Sequence, residues 1–236
     1  MPPEIPVPST DSSPKEERPG SDGEHELQKS FGSQERADRF YQEQMSDHLN
    51  ATMQEFVGRM EMMFIGTADA KGEADVSFRA GQAGFVRVLD DTTLAWPEYR
   101  GNGVMASAGN MSENPHVGIL FMDFVNDLVG LHVNGATVTL APDEFDSEYP
   151  EQEAVDDIPG RRPERWIVVD VHEAYIHCSK HIPRMMPVPR NRDWGTDDRR
   201  RKGGDAFDVA AERGLGPRRR RRVSQSATDE GIEESA

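Results

Sequence analysis

A short glycine-rich turn near the middle of the chain could bind an anion. The stretch EYRGNGVMASAGNMSENP, residues 98–115, follows the apolar run TLAWP and contains Gly101, Gly103 and Gly109. A strand that ends in a Gly/Asn turn and then opens a helix leaves unpaired backbone N–H groups at the helix start, and these favour an anion such as a phosphate. Glycines in such a stretch also serve turn geometry and close helix packing. The pattern therefore predicts a phosphate site, with a purely structural turn as the alternative.

The single cysteine and the histidines are the other groups that could do chemistry. Cys178 follows His177 and stands two residues before Lys180, which would make a thiol more reactive if they were close in space. Neighbours on a strand point to opposite faces, so a buried, unreactive cysteine is expected instead. No metal site is predicted, because the HExxH pattern is absent among His116, His132, His172, His177 and His181.

Charge and composition narrow the possible partners. The 236 residues carry 27 Lys and Arg against 43 Asp and Glu, a formal net charge of −16, which opposes non-specific binding to nucleic acid and anionic membranes. No run approaches the roughly 20 apolar residues of a membrane span, and the N-terminus lacks the basic and apolar regions of a signal peptide. A single cysteine excludes an internal disulfide. The sequence predicts a cytoplasmic protein that binds neither membrane nor nucleic acid.

Composition divides the chain into three parts. Residues 1–33 are rich in Pro, Ser, Asp and Glu, which bury too little surface to offset the entropy of ordering, so a disordered tail is predicted. Residues 34–190 form the predicted folded domain, in which the acidic insertion at 142–164 is expected to be a lid or a solvated loop. Residues 191–236 are expected to be mostly disordered, apart from a short helix around AFDVAAERG, and include an arginine run at 218–222.

The folded part begins with a helical pattern and continues with strands. After Ser33, the predicted N-cap, apolar residues recur every three to five positions and indicate one helix reaching about Met60. Alternation follows, with one hairpin turning at DAKG and a second turning at Asp90 and Asp91. Six or seven strands with hairpin connections and one or two helices indicate an antiparallel barrel and not a parallel sheet.

A family resemblance is carried by three stretches: FIGTADAKGEADVSFRAG, LAWPEYRGN and SENPHVGILFMDF. In this order they resemble the pyridoxamine 5′-phosphate oxidase-like, FMN-binding split-barrel family, over roughly residues 35–185. The resemblance implies a mainly β fold, a six-stranded antiparallel split β-barrel with an N-terminal helix and a short helix between strands. It also implies a homodimer with FMN in a cleft shared by the two subunits.

The resemblance further implies where the cofactor binds. The flavin phosphate would be held by groups on the strand after the first hairpin and in the turn before the short helix, where an arginine fork can engage phosphate oxygens in pairs. The implied cofactor-binding residues are Ser77, Arg79, Trp96, Tyr99, Arg100, Asn102 and Gly103. Among these, Trp96 and Tyr99 are the expected neighbours of the flavin ring, with a core position as the alternative for Trp96.

The chain departs from the oxidase that gives the family its name. It has Asn102 and Gly103 where the oxidase has an Arg-Lys pair, and the oxidase's substrate-binding Arg and His near the C-terminus have no recognisable counterpart. No catalytic residue is identified. His177 and Lys180 are candidates only for the substrate side, because His can donate a proton near neutral pH and Lys can hold an anionic group.

These departures leave two functions open. The first is a flavin-dependent oxidoreductase that passes a hydride or electrons between FMN and a small organic substrate, distinct from the vitamin B6 enzyme itself. The alternative is a non-catalytic carrier or sensor that holds flavin, a deazaflavin or haem. Both predict a phosphate or similar anion at the EYRGNG turn.

Overall fold

The described part of the chain forms two compact units. A computed structural model describes residues 18–152, 160–188, 195–198 and 200–216. The first unit comprises Met1–Val155 and Pro163–Val188, and the second comprises Asp156–Arg162 and Pro189–Ala236. All strands of the described residues lie in the first unit. No helix within the described ranges is both long and apolar enough to cross a membrane.

An antiparallel sheet of eight strands forms the first unit. The order is β3-β2-β6-β7-β8-β5-β4, with β1 paired to β8. Six strands have seven or more residues, so the predicted six-stranded antiparallel split barrel is confirmed, with two two-residue strands added. The strands are β1 Met45–Ser46, β2 Met62–Ala68, β3 Ala74–Ala80, β4 Arg87–Val88, β5 Thr93–Tyr99, β6 His116–Met122, β7 Gly130–Leu140 and β8 Pro163–His177.

Both predicted hairpins are present, and aspartates close their turns. Between β2 and β3, the carboxylate of Asp69 accepts a hydrogen bond from the backbone N–H of Lys71, and Gly72 takes the left-handed conformation with φ of 83°. Between β4 and β5, Asp90 accepts from the backbone N–H of Thr92. These local hydrogen bonds explain why turn chemistry located both hairpins from the sequence.

The predicted single helix is wrong, because the structure has two helices there. α2 spans Gln34–Gln44 and α3 spans Ala51–Arg59, and β1 lies between them and pairs with β8. Asn50 restarts the helix by accepting a hydrogen bond from the backbone N–H of Met53, whereas Ser33 makes no side-chain cap bond. The remaining helices are α1 Asp22–Ser30, α4 Ala106–Glu113, α5 Pro142–Glu148 and α6 Val209–Glu212, with a 3-10 turn at Ser179–His181.

One face of the sheet packs against α3 to form the main core. Along β2, Met63 and Ile65 are fully buried and alternate with partly exposed neighbours, the period-2 pattern of a half-buried strand. Phe56 and Val57 supply the apolar face of α3. Trp96 on β5 is also fully buried in this core. Each such large side chain contributes about 1.5–3 kcal/mol to the free energy of folding, because its apolar surface is removed from water.

β8 contains one extra residue opposite β7. The register shifts between Asn134 and Gly135, and His172 has no opposite residue on β7. A Cβ at Gly135 would lie only 2.1 Å from the backbone oxygen of Asp170, so a glycine is required where the strands approach. This is a β-bulge, which changes the residues of β8 that face the core on either side of it.

The acidic insertion expected over 142–164 starts as a packed helix. α5 places Phe145 on the indole of Trp166, with ring centroids 4.0 Å apart and planes at 7°. Both side chains are buried in a second apolar cluster. Because carboxylates surround Phe145 in the sequence, the pattern did not reveal that this aromatic residue is buried. Residues 153–159 of the insertion lie outside the described residues.

Helical structure also occurs inside the predicted tails. α1 lies within the stretch 1–33 where composition predicts disorder, and its N-cap Ser21 accepts a hydrogen bond from the backbone N–H of Glu24. α6 coincides with the short helix expected around AFDVAAERG. Residues 1–17 and the arginine run at 218–222 lie outside the described residues. The boundaries of the tails therefore stay predictions.

Asp123 organises the connection between β6 and β7. Its side chain is 4% exposed and accepts hydrogen bonds from the backbone N–H groups of Val125 and Asn126, while Arg59 Nη1 donates to it at 3.1 Å. Burial raises the pKa of the Asp123 carboxyl, but the backbone hydrogen bonds and the Arg59 charge outweigh it. The net pKa lies below the ordinary value of 3.8.

Asp123→Ala should lower the free energy of unfolding by about 1–3 kcal/mol, because buried backbone N–H groups lose their acceptor. The pKa is depressed in the folded state, so this stabilisation is present above the unfolded carboxyl's pKa of about 3.9 and is lost as pH falls through the folded value. Urea unfolding of both proteins at neutral and acidic pH measures the effect. Asp127→Ala is the control, since Asp127 also contacts Arg59 but is 57% exposed; an equal loss in that variant would contradict the role of burial.

Candidate functional site

A cavity of about 520 Å³ lies between β3, the end of β5, the start of α4 and the start of β8. Its volume falls in the range of small-molecule sites, roughly 300–1,000 Å³. Polar side chains reach it from β3, β5, α4 and β8, which lie far apart in the sequence. The fold thus brings the predicted strand positions and the predicted glycine turn to one place.

Arg79 is held on the cavity wall by two neighbours. Its Nε donates to Oε1 of Glu98 at 2.7 Å, and its Nη1 donates to Oγ of Ser77 at 2.9 Å. Ser77 and Arg79 share one face of β3 because they are two residues apart. The side chains of Arg79 and Glu98 are 19% and 15% exposed, so water screens this pair less than a surface pair. Nη2 of Arg79 has no hydrogen-bond partner among the residues that the structure describes.

Glu98 connects the cavity to the core. The indole Nε1 of Trp96 donates to the same Oε1 at 2.8 Å. Trp96 is 0% exposed and does not line the cavity. Of the two positions expected for Trp96, beside the flavin ring or in the core, the structure shows the core position. Trp96 is connected to the cavity only through its hydrogen bond to Glu98. A buried indole N–H needs an acceptor, and Glu98 provides it.

Arg165 is a second cation of the cavity, and the sequence reasoning missed it. It lies near the start of β8, directly opposite Glu98 on β5. Side chains opposite each other on antiparallel strands have Cβ atoms about 4.5–5.5 Å apart. Arg165 makes no hydrogen bond or ion pair with any residue in the described part of the chain. The stretch RRPERW contains three arginines, and only the pairing of β5 with β8 distinguishes Arg165 from the others.

The predicted glycine turn leads into α4 along the cavity. Gly103 has a φ of 84° and Met105, at the N-cap position, has a φ of 59°, so two left-handed residues steer the chain into the helix. Asn102 Oδ1 accepts a hydrogen bond from the backbone N–H of Val104 at 2.9 Å. Ser107, in the first turn of α4, is buried and lines the cavity. Non-glycine residues rarely adopt this left-handed conformation, and they keep it only where the surrounding structure holds the backbone in place.

The cavity gathers most of the residues implied by the family resemblance. Arg100 is exposed and does not line it, and Trp96 is in the core. The implied residues that do line the cavity are Ser77, Arg79, Tyr99, Asn102 and Gly103.

The charges of the cavity wall are mixed. Carboxylates come from Asp75, Glu98 and Glu164, and guanidinium groups come from Arg79 and Arg165. One of the two cations is already paired, since Glu98 holds Arg79. An anion in this cavity would therefore depend on Arg165, on the remaining donors of Arg79 and on the start of α4.

The substrate-side candidates lie elsewhere in the first unit. His177 ends β8, whose first residues line the cavity, and its Nδ1 lies 3.1 Å from Nε2 of His132. Lys180 is exposed in the 3-10 turn after β8. Cys178 is also exposed, so the prediction that it is buried is wrong. Within the described residues, no group of three or more His, Cys, Asp or Glu side chains could hold a metal.

Comparison with known proteins gives a family. A sequence model described as Pyridoxamine 5′-phosphate oxidase matches residues 49–178, more than half of the chain. No curated protein matches. An FMN-binding protein from Syntrophomonas wolfei subsp. wolfei is 13% identical, with 71% of this chain and 99% of that chain covered and a TM-score of 0.39.

Two further solved structures are similar at the same level. HupZ of Group A Streptococcus is 18% identical over 52% of this chain and 88% of that chain, with a TM-score of 0.37. HutZ, the haem storage protein of Vibrio cholerae, is 14% identical over 55% of this chain and 94% of that chain, with a TM-score of 0.36. These sequence identities and TM-scores are too low for the solved structures to indicate which cofactor this chain binds.

His132 should titrate below its ordinary pKa of 6.5, because burial disfavours the charged imidazolium and the charge of His177 disfavours it further. Since the folded pKa is lowered, the unfolded state binds the extra proton, and stability falls as pH drops below about 6.5. NMR titration of the imidazole protons measures this pKa. His177→Ala should raise the pKa of His132 only partly, because burial remains. A pKa of His132 at or above 6.5 in the native protein would contradict this account.

Proposed function

The chain belongs to the pyridoxamine 5′-phosphate oxidase family, and we propose that it is an FMN-binding oxidoreductase whose cofactor phosphate lies in the cavity of Arg79 and Ser77. The observation that carries this proposal is the convergence of β3, β5 and the turn before α4 on one cavity. Sequence similarity implied phosphate contacts at these separate places, and the fold gives them a common site.

The donors of the cavity fit a phosphate monoester. Arg79 and Arg165 supply positive charge, and the hydroxyl groups of Ser77 and Ser107 supply neutral donors. The backbone N–H groups at the start of α4 add the positive end of a helix dipole. Arg79, Ser77 and Ser107 would hold the phosphate of FMN, and Arg165 would add positive charge to the cavity wall without contacting the phosphate. Tyr99 would offer an aromatic surface to the rest of the cofactor.

Bound FMN supplies hydride or electron transfer with a small organic substrate. The residues of this chain would anchor the phosphate and fix its position beside β3. Ser77 holds Arg79 in place by accepting a hydrogen bond from its Nη1. Positioning of this kind is the contribution that a flavoprotein scaffold makes to the reaction.

A second candidate function is a carrier or sensor without turnover, holding flavin, a deazaflavin or haem. One observation favours it: the described residues that line the cavity include no His, Lys or Cys. Such a site lacks a histidine, the side chain that most often transfers protons in enzymes. Steady-state reduction of the bound cofactor by NADH or NADPH separates the two functions, because a carrier shows little turnover.

We further propose that the protein is a homodimer and that β3 lies at its interface. β3 is at the end of the sheet order, and its outward residues Val76 and Phe78 are 72% and 53% exposed. Phe64 of the neighbouring β2 packs against Phe78, with ring centroids 5.5 Å apart and planes at 58°, and extends this apolar surface. A second copy of the chain would cover it and close the open side of the cavity. We also propose a cytoplasmic location, as predicted from the sequence.

Arg79→Ala should weaken FMN binding roughly tenfold to a hundredfold, because hydrogen bonds to charged groups contribute about 1.5–3 kcal/mol. Flavin fluorescence quenching measures the affinity, and circular dichroism checks the fold. Arg39→Ala is the matched control, since Arg39 is an exposed arginine on α2 that does not line the cavity. Unchanged FMN affinity in Arg79→Ala would move the phosphate site elsewhere.

Val76→Asp should convert the dimer into monomers, because a carboxylate on the apolar face of β3 would lose its hydration in the interface. Val76 does not line the cavity, so the change leaves the phosphate donors in place. Sedimentation velocity measures the oligomeric state. Leu27→Asp serves for comparison, because Leu27 is 59% exposed on α1. A dimer that persists in Val76→Asp excludes β3 from the interface.

A further inference from the structure

The ion pair of Arg79 and Glu98 blocks the way in which an arginine binds a phosphate most strongly. A guanidinium engages two phosphate oxygens through one of its two forked edges, either Nε with Nη2 or Nη1 with Nη2. In this structure Nε donates to Glu98, and Nη1 donates to Ser77 and to the backbone oxygen of Phe78. Each forked edge therefore has one donor already engaged. Only the single group Nη2 remains for an incoming anion.

A second arginine is positioned to form an ion pair with Glu98. Arg165 faces Glu98 directly across the β5–β8 pairing and has no partner of its own among the described residues. The indole of Trp96 fixes the Oε1 atom of Glu98 from the core side. A rotation of the carboxylate that keeps Oε1 bound to Trp96 would turn its other oxygen toward the opposite strand β8. Glu98 thus lies between two cations and is paired with only one of them.

From these contacts we propose that Glu98 competes with the cofactor's phosphate for Arg79, and that Arg165 receives Glu98 when the phosphate binds. The proposal rests on the proposed function, because the phosphate of FMN is the competing anion. Binding of the phosphate exchanges one ion pair, Arg79–Glu98, for another, Glu98–Arg165. In the bound state Arg79 would pair with the phosphate and Arg165 with Glu98, so that none of these three side chains would lack a charged partner.

Competition of this kind makes the cofactor readily exchangeable. The apparent affinity for the phosphate is reduced by the fraction of molecules in which Arg79 is released from Glu98. The carboxylate also repels the phosphate directly, since like charges a few ångströms apart interact strongly where water is partly excluded. Both effects act on the phosphate and neither acts on the flavin ring. FMN should therefore gain from the loss of the Glu98 charge, whereas riboflavin, which has no phosphate, should not.

Glu98→Gln tests the competition. Glutamine keeps an oxygen that accepts from Trp96 and Arg79 but removes the charge, so the Kd for FMN should fall on the order of tenfold, while the Kd for riboflavin stays the same. Flavin fluorescence titration of the full chain gives both constants. The ratio of the two is insensitive to a partial loss of folded protein. Glu164→Gln is the matched control, because Glu164 is an exposed carboxylate of the same cavity with no contact to Arg79; it should lower the Kd for FMN by less.

The outcomes separate this inference from the proposed function. Equal FMN affinity in the native protein and in Glu98→Gln, or weaker binding in the variant, overturns the competition and makes Glu98 a positioning residue. An equal gain in Glu164→Gln also overturns it, because the effect would then be a general charge effect. Failure of both proteins to bind FMN overturns the proposed function itself. The indole N–H resonance of Trp96 gives an independent reading, since it should shift with FMN and not with riboflavin.

A double-mutant cycle tests the role of Arg165. In the native protein, Arg165→Gln should weaken FMN binding, because the displaced Glu98 carboxylate loses its cationic partner. In the Glu98→Gln background, the same replacement should weaken FMN binding several-fold less, because the glutamine has no negative charge with which Arg165 could pair. Equal costs in the two backgrounds would mean that Arg165 contacts the phosphate directly, and this result overturns the transfer of Glu98.

Discussion

The first unit depends on one strand being paired along both of its edges. β8 pairs with β7 over most of its 15 residues, while its other edge pairs first with β5 and then with β1. Side chains from its two faces enter different clusters: Ile167 and Val169 lie in the main core, and Trp166 and Val168 pack with α5. The same strand begins at the cavity with Arg165 and ends at His177. A change in the position of β8 would therefore move the core, the helix α5 and the cavity wall together.

Sequence patterns located the features that are stabilised locally. The two hairpins are held by aspartate side chains that bind backbone groups two residues away, so short windows of sequence contain the whole cause. The cavity turn behaves similarly, since Gly103 supplies a left-handed conformation that few other residues adopt. The mainly antiparallel fold followed from alternation and hairpin spacing, and most of the residues that the family resemblance implied line the cavity.

The features that the sequence did not reveal depend on neighbours far apart in the chain. Glu98 and Arg165 are 67 positions apart and meet only because β5 pairs with β8. Phe145 is buried because Trp166 lies across from it, although carboxylates surround it in the sequence. The break between α2 and α3 arises because β8 offers a partner to Met45 and Ser46. Apolar spacing continues through that break, and local pattern alone cannot detect it.

The bulge of β8 determines which side chains of its second half face the core. Val171 is buried before the extra residue His172 and Ala174 is buried after it, so the core-facing positions change from odd to even numbers. Removing the extra residue itself would restore regular pairing with β7, whereas removing a residue of β8 outside the bulge would turn the side chains beyond it to the opposite face of the sheet. Outside the bulge, natural variation in β8 is therefore constrained in chain length more than in the chemistry of its exposed side chains. Substitutions of the exposed His172 should be common among related chains, whereas insertions and deletions within β8 should be rare.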